Sequence, residues 1–274
     1  MVEPFRAVPG TPVGFLTDTT LCIGCKACEV ACKQWNQLPA DEPLTGRGLS
    51  GLSYDNTVDL GAETWRHVSF VEVAPGQTGE PSSPVTAWLM MSDVCKHCVH
   101  AGCMEACPTG AIIRTEFDTV FIQPDVCNGC GYCVPACPFG VPQLSDEAHI
   151  ARKCTLCYDR LLGGFEPACA KACPTDSIRF GPVADLRADA ISRVEHLRST
   201  GHDQAVVYGD ANLGGTGGIG GLNALFVLTA PAETYHLPES PSLPGDRATG
   251  SYAATLLTAA GIAAAALVAL GRRR

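Results

Sequence analysis

The chain has 274 residues, enough for one large domain or two small ones with a real core. Hydrophobic residues make up 46% and charged residues only 17%, which excludes a disordered chain and implies extensive buried or partner-covered surface. A formal net charge of −9 offers no basic footprint for phosphates, so no nucleic acid is expected as a partner.

Residues 1–20 show no basic start followed by an apolar core, and no cleavable secretory signal is expected there. A first cysteine quartet follows at Cys22, Cys25, Cys28 and Cys32, spaced C-x2-C-x2-C-x3-C. The next sixty or so residues read as an insertion, in which Pro39 to Asn56 is a polar, Gly/Pro-rich surface loop. Trp65 to Val73 and Val85 to Met91 have β-branched and aromatic character and predict a hairpin, with Trp65 and Trp88 packed around the cysteine sites. A second quartet is Cys95, Cys98, Cys103 and Cys107, followed by Pro108. The third, Cys127, Cys130, Cys133 and Cys137, repeats the first spacing and ends in Pro138. The fourth is Cys154, Cys157, Cys169 and Cys173, ending in Pro174.

Beyond the quartets, Asp185 to Thr200 predicts an amphipathic helix with Leu186, Ala190, Ile191, Val194 and Leu197 on one stripe and Gly201 after its end. Gln204 to Tyr208 predicts a strand. The glycine run Gly214–Gly221 lacks the Gly-Lys-Ser/Thr ending of a phosphate loop and reads as a flexible or partner-contacting loop. Pro231, Pro238, Pro241 and Pro244 predict a stiff, extended linker. Ala248 to Gly271 is 24 residues without a charge, followed by Arg272, Arg273 and Arg274. That length suffices to cross a bilayer, although nine alanines against six Leu, Ile or Val between Tyr252 and Leu270 make the apolar drive modest. Gly261 and Ala265 suit close packing on another membrane helix, and the arginines favour a cytoplasmic C-terminus with the cysteine domain on the far side.

All 16 cysteines fall into the four quartets. The run C-x2-C-x2-C-x3-C-P is that of bacterial ferredoxins: three close thiolates wrap three irons of one cubane, and the fourth cysteine serves the other cluster of a pair. Structural zinc uses two separated C-x2-C knuckles, which only the fourth quartet resembles, and adjacent cysteines at this spacing do not suit independent disulfides. Cys107-Pro108-Thr109-Gly110-Ala111-Ile112 is echoed by Cys173-Pro174-Thr175-Asp176-Ser177-Ile178, as expected of duplicated cluster modules. Only 19 residues separate Cys107 from Cys127, so quartets two and three form one contiguous module. If each quartet gives its last cysteine to a partner, quartets one and four then pair with each other. Four [4Fe-4S] clusters are therefore expected. The first is on Cys22, Cys25, Cys28 and Cys173, and the second on Cys32, Cys154, Cys157 and Cys169. The third is on Cys95, Cys98, Cys103 and Cys137, and the fourth on Cys107, Cys127, Cys130 and Cys133.

The expected fold is α+β, with two ferredoxin-like [4Fe-4S] dicluster modules, one inserted in the other, plus a C-terminal transmembrane helix. The first module takes residues 1–92 and 140–230, with 36–92 as its insertion, and the second takes 93–139. A linker over 231–250 leads to the helix at 251–271. Lys26, Lys33, Lys96, Arg152, Lys153, Arg160 and Lys171 lie within or beside the quartets, where cations either raise the potential of a negatively charged cluster or sit in solvent. His97 and His100, inside quartet two, are read as supporting or surface residues and not as ligands. No nucleophile–base set, paired acid/base carboxylates or nucleotide motif is present, so no catalytic residue is expected.

The stretch Leu21-Cys22-Ile23-Gly24-Cys25-Lys26-Ala27-Cys28-Glu29-Val30-Ala31-Cys32-Lys33-Gln34-Trp35-Asn36 closely resembles the opening of the iron–sulfur (beta) subunit of respiratory formate dehydrogenases. Cys95-Lys96-His97-Cys98, Cys107-Pro108-Thr109-Gly110-Ala111 and Arg152-Lys153-Cys154-Thr155-Leu156-Cys157-Tyr158-Asp159-Arg160 are similar to it as well. The four quartets alone are shared with beta subunits of nitrate, dimethyl sulfoxide, polysulfide and tetrathionate reductases and some hydrogenases. The resemblance implies a non-catalytic, membrane-anchored electron wire. Electrons from a molybdenum or tungsten pterin catalytic subunit would enter at the Cys22 cluster and pass to those of Cys32, Cys95 and Cys107. They would leave to a membrane cytochrome b subunit and quinone.

Overall fold

The computed structural model describes residues 6–39, 54–55, 59–73, 87–210 and 218–271. In chain order its elements are β1 (Val13–Asp18), α1 (Ala27–Asn36), β2 (Arg66–Val73), β3 (Ala87–Val94), α2 (Gly102–Glu105), β4 (Ile112–Arg114), β5 (Val120–Ile122) and α3 (Cys133–Ala136). There follow β6 (Gln143–Leu144), β7 (Ala151–Arg152), α4 (Tyr158–Leu162), α5 (Ala168–Lys171), β8 (Ile178–Pro182), α6 (Val183–Ser199), β9 (Val206–Tyr208), β10 (Ala224–Leu228) and α7 (Pro244–Gly271).

A four-stranded sheet in the order β8-β1-β10-β9 divides the core into two layers. β1 runs parallel to β10, with Phe15 opposite Ala224, and antiparallel to β8. Successive side chains of a strand face opposite ways. Leu16, Leu225 and Val227 accordingly pack with Leu186, Ala190, Val194 and Leu197 of α6. Val13, Phe15, Ala224, Phe226 and Leu228 face the other way, into the cluster of buried residues that holds Cys28, Cys95, Cys154 and Cys169. The sheet is thus a wall between a covering helix and the cysteine layer. Asp18 fixes the end of β1. One carboxylate oxygen accepts from the Thr20 N–H at 2.9 Å, and the other accepts from Arg193 of α6 at 2.8 Å.

The helix expected at 185–200 is α6. Asp185 in its first turn and His196 and Arg198 in its last complement the helix dipole, and Gly201 follows at φ +100°. One residue of the expected stripe lies elsewhere: Ile191 is 42% exposed. At 3.6 residues per turn it points about 140° away from Leu186, off the buried face. Ile191→Ser, a swap between residues of similar helix propensity, is expected to change stability by less than about 0.5 kcal/mol in urea denaturation. A larger loss would mean that something covers this face.

The expected hairpin forms as β2 and β3, paired from Arg66↔Val94 to Val73↔Ala87. Trp88 does not pack around cysteines. It is 49% exposed and its ring lies 5.7 Å from Phe70 and 5.0 Å from Tyr54. Phe70 in turn closes over Gly24, where a Cβ would meet its ring at 2.6 Å. Trp65 is partly buried against the core and donates to the Ala62 carbonyl at 2.7 Å.

The extended linker is a further difference. Ala232–Tyr235 forms a short 3-10 helix, and Tyr235, Leu237 and Leu243 are buried in the main core. Tyr208 clamps the segment by donating to the Pro238 carbonyl at 2.7 Å. The prolines shape a fold-back whose apolar residues have a core to enter. The final helix accordingly starts at Pro244, seven residues before the expected 251. It is 28 residues long, but among the described residues no helix is long and apolar enough to cross a membrane. The transmembrane expectation therefore rests on sequence alone. Most of the Pro39–Asn56 loop, Gly214 to Gly217 and the terminal arginines lie outside the described residues. Of the glycine run, Ile219 is fully buried and its carbonyl accepts from the His100 N–H at 2.8 Å, so this part packs internally.

Candidate metal centres

The backbone of each quartet repeats one device. The residue just before the second cysteine has positive φ in all four: Gly24 (65°), His97 (44°), Gly129 (71°) and Leu156 (56°). This left-handed step curls the loop so that its N–H groups face the preceding sulfur. The Leu156 N–H donates to Cys154 Sγ at 3.3 Å. Glycine adopts the step freely, and at Gly129 a Cβ would strike the His149 carbonyl oxygen at 2.1 Å. The short helices then bring separated quartets together. α1 of quartet one packs on α5 of quartet four, and α2 of quartet two packs on α3 of quartet three.

All 16 cysteines are free thiols. One cavity is lined by Cys22, Cys25, Cys28 and Cys173, with Lys26, Ser92 and Ser177. A second is lined by Cys95, Cys98, Cys103 and Cys137, with Lys96, His97 and Lys153. Cys32 feels the charges of Cys169, Cys154 and Cys157, and Cys133 feels those of Cys127, Cys107 and Cys130. Neighbouring sets also lie within electrostatic reach of one another in a row: Cys28 senses Cys169, Cys154 senses Cys95, and Cys103 senses Cys133. Exposed Cys25 and Cys130 sit in the two end sets, whereas Cys32, Cys154, Cys157 and Cys169 are all buried.

Burial pushes the Cys28 thiol up to about 11, against the pull of Arg66 and the Ser92 hydroxyl. Burial raises Cys103 to about 12 against Lys153, and Cys157 and Cys133 rise to about 12 and about 11. Cys107 goes the other way. Its slight burial is outweighed by hydrogen bonds from the Thr109 hydroxyl and from the N–H groups of Ile112, Thr109 and Ala111, which hold it below the ordinary thiol value. The duplicated segment repeats the contact, with Thr175 Oγ1 3.8 Å from Cys173 Sγ. Buried thiols this reluctant to ionise become thiolates when iron supplies the opposing positive charge, and binding then expels their protons.

The donor chemistry fits cubanes. His97 is fully buried and lines the second cavity. Its Nδ1 accepts from the Val120 N–H at 3.1 Å, which leaves the proton on Nε2, and Nε2 has no partner in the protein. A cluster sulfide is an acceptor of the kind this donor lacks. His97 is thus an interior supporting residue, whereas His100 is exposed.

Of the flanking cations, Lys96 and Lys153 are buried, at 2% and 3% exposure. Lys153 sits between two cysteine sets: burial lowers its pKa, but Cys95, Cys103 and Cys154 together raise it. The Lys171 side chain is 72% exposed and pairs with Glu166, and Arg160 stacks on Trp35 at 4.3 Å. The buried cation that sequence reading passes over is Arg66, 1% exposed. Its one signal is the alternation of β2, which puts Arg66 on the same face as buried Val68.

A family model described as a 4Fe-4S dicluster domain matches residues 86–183, and one described as a 4Fe-4S binding domain matches residues 19–35. The chain is 41% identical over 235 residues to the formate dehydrogenase-O iron-sulfur subunit of Escherichia coli (strain K12), covering 84% of this chain and 72% of that subunit. It is 40% identical to the formate dehydrogenase iron-sulfur subunit of Haemophilus influenzae, covering 83% of this chain and 69% of that one. The B subunit of the anaerobic dimethyl sulfoxide reductase of Escherichia coli (strain K12) is 33% identical over 177 residues, 65% of this chain and 77% of that subunit.

Proposed function

The chain belongs to the family of formate dehydrogenase iron–sulfur subunits, and we propose that it conducts electrons out of a formate-oxidising partner. It carries [4Fe-4S] clusters and is a non-catalytic subunit. The proposed ligands are the four sets whose cysteines neighbour one another: Cys22, Cys25, Cys28 and Cys173; Cys32, Cys154, Cys157 and Cys169; Cys95, Cys98, Cys103 and Cys137; Cys107, Cys127, Cys130 and Cys133. When bound, the clusters supply one-electron relay. The observation that carries the reading is the row itself, with no exposed cysteine in the two inner sets and the end sets reaching the surface at Cys25 and Cys130.

The protein's own part is insulation, charge and docking. The sheet, β2 and β3 keep water from the inner sets, and buried Arg66, Lys96 and Lys153 offset the negative charge of thiolate-bound iron. Exposed Leu21 and Ile23 flank the first set, and exposed Val126 and Tyr132 flank the last, as suits protein partners at both ends. We propose a molybdenum or tungsten pterin subunit at the first end and a membrane cytochrome b subunit at the other. The uncharged stretch 248–271 is proposed as the bilayer anchor. Its helix starts with Pro244 against Gly102, on the side of quartet two, which suits delivery of electrons toward the membrane. Arg272 to Arg274 favour a cytoplasmic C-terminus and an extracytoplasmic cluster domain.

The test is optical. The complex is extracted anaerobically from membranes in mild detergent, and formate is added. Formate is expected to bleach the visible iron–sulfur absorption to most of the extent dithionite does. Bleaching by dithionite alone would overturn the formate assignment and favour another pterin oxidoreductase, such as a sulfoxide reductase.

A further inference from the structure

Arg66 opens β2, and the register of the hairpin sets it on the face shared by Val68, Ser92 and Val94, all of them buried. Its Nη2 donates to Cys169 Sγ at 3.4 Å. Its Nη1 donates to Ser92 Oγ at 3.3 Å and to the Ser92 carbonyl at 3.2 Å. Ser92 Oγ lies 3.2 Å from Cys28 Sγ and, having accepted from the arginine, has its own proton to give to that sulfur. The guanidinium rests on the Phe15 ring, 4.7 Å from its centroid, which fixes its plane. The negative charges that act on it most strongly are the sulfurs of Cys169, Cys28 and Cys154. A buried cation is costly unless charge of the opposite sign meets it, and here that charge belongs to two different cysteine sets.

We propose that Arg66 and Ser92 form a hydrogen-bonded bridge between the Cys28 site and the Cys169 site, which raises the reduction potentials of both bound clusters together. The proposal rests on the cluster assignment above. Reduction adds negative charge to a cluster, and a fixed cation or a hydrogen bond at its thiolate favours the reduced form. Arg66 faces both sites, so its charge is felt at both. Of these sulfurs the Ser92 hydroxyl meets that of Cys28, so it acts on the first site. Both residues belong to the inserted hairpin, which thereby acts as a tuning element for the ferredoxin-like frame.

The test is a redox titration of the intact, anaerobically purified complex, monitored by electron paramagnetic resonance, for wild type, Arg66→Gln, Arg66→Lys and Ser92→Ala. Arg66→Gln is expected to lower two of the cluster potentials, each by about a tenfold change in the reduction equilibrium, or about 59 mV for one electron, and to leave the others in place. Arg66→Lys keeps the charge without the planar fork and is expected to restore part of the shift. Ser92→Ala is expected to lower one potential only. A shift of one cluster, of none or of all equally in Arg66→Gln would overturn the bridge. If Arg66→Gln fails to load iron, Ser92→Ala decides, since a single lowered potential supports the bridge and none overturns it. Wild-type complex without acid-labile sulfide would overturn the cluster reading itself, an outcome distinct from fully loaded variants with unmoved potentials.

Discussion

Cys173→Ser is expected to abolish the normal signal of one cluster, the one bound near the N-terminal cysteines, and to cut formate-dependent electron transfer through the chain by about a hundredfold or more, beyond the loss typical of supporting residues around a metal. Cys173 is more than 140 residues from Cys22 in the chain, yet both line one cavity with Cys25 and Cys28. The substitution keeps the size of the side chain and removes the soft sulfur that iron requires. Iron analysis and the resonance spectrum of the reduced complex check it together. A spectrum unchanged in the signal assigned by Cys22→Ser would show that quartet four does not complete the first site. The exchange of last cysteines between quartets would then have to be redrawn.

The second large effect lies in the sheet. Phe226→Ala is expected to cost about 3–5 kcal/mol, read from urea denaturation under anaerobic conditions. Phe226 is fully buried in β10, with its ring 6.4 Å from that of Tyr208, and the Lys96 ammonium stands 5.4 Å from its centroid. The truncation leaves a void at the boundary between sheet and cysteine layer and takes away the aromatic face on which a buried cation rests. A cost below about 1 kcal/mol would mean that the layer relaxes into the space and is less tightly packed than its burial suggests.

These two residues mark the limits of what is legible in the sequence. Cysteine spacing reads directly because metal–thiolate geometry tolerates few loop lengths, and each quartet keeps its spacing whatever surrounds it. β10 does not announce itself. Ala224 to Leu228 is a short apolar run without alternation, and such a run fits a buried strand or a piece of helix equally well. β1 hides too, because its six residues are all buried although they include Gly14, Thr17 and Asp18. The segment from Pro231 to Leu243 misleads because proline spacing reports local stiffness, whereas Tyr235, Leu237 and Leu243 follow the nearest apolar surface. Arg66 is hidden for another reason. A lone arginine in a strand normally faces solvent, and only the meeting of Ser92, Cys28 and Cys169 in three dimensions gives it a buried role.

The parallel pairing of β1 with β10 also sets the order of biogenesis. Every one of the 16 cysteines lies in the chain between Asp18 and Ala224, so the central ladder cannot zip until the ribosome has released them all. Joining strands so far apart makes this a late, high-contact-order step, although the entropy of closing so long a loop grows only slowly with its length. Until then the sulfurs of Cys28, Cys95, Cys154 and Cys169, which pack in one buried cluster with Phe15 and Phe226, lack the sheet that covers them.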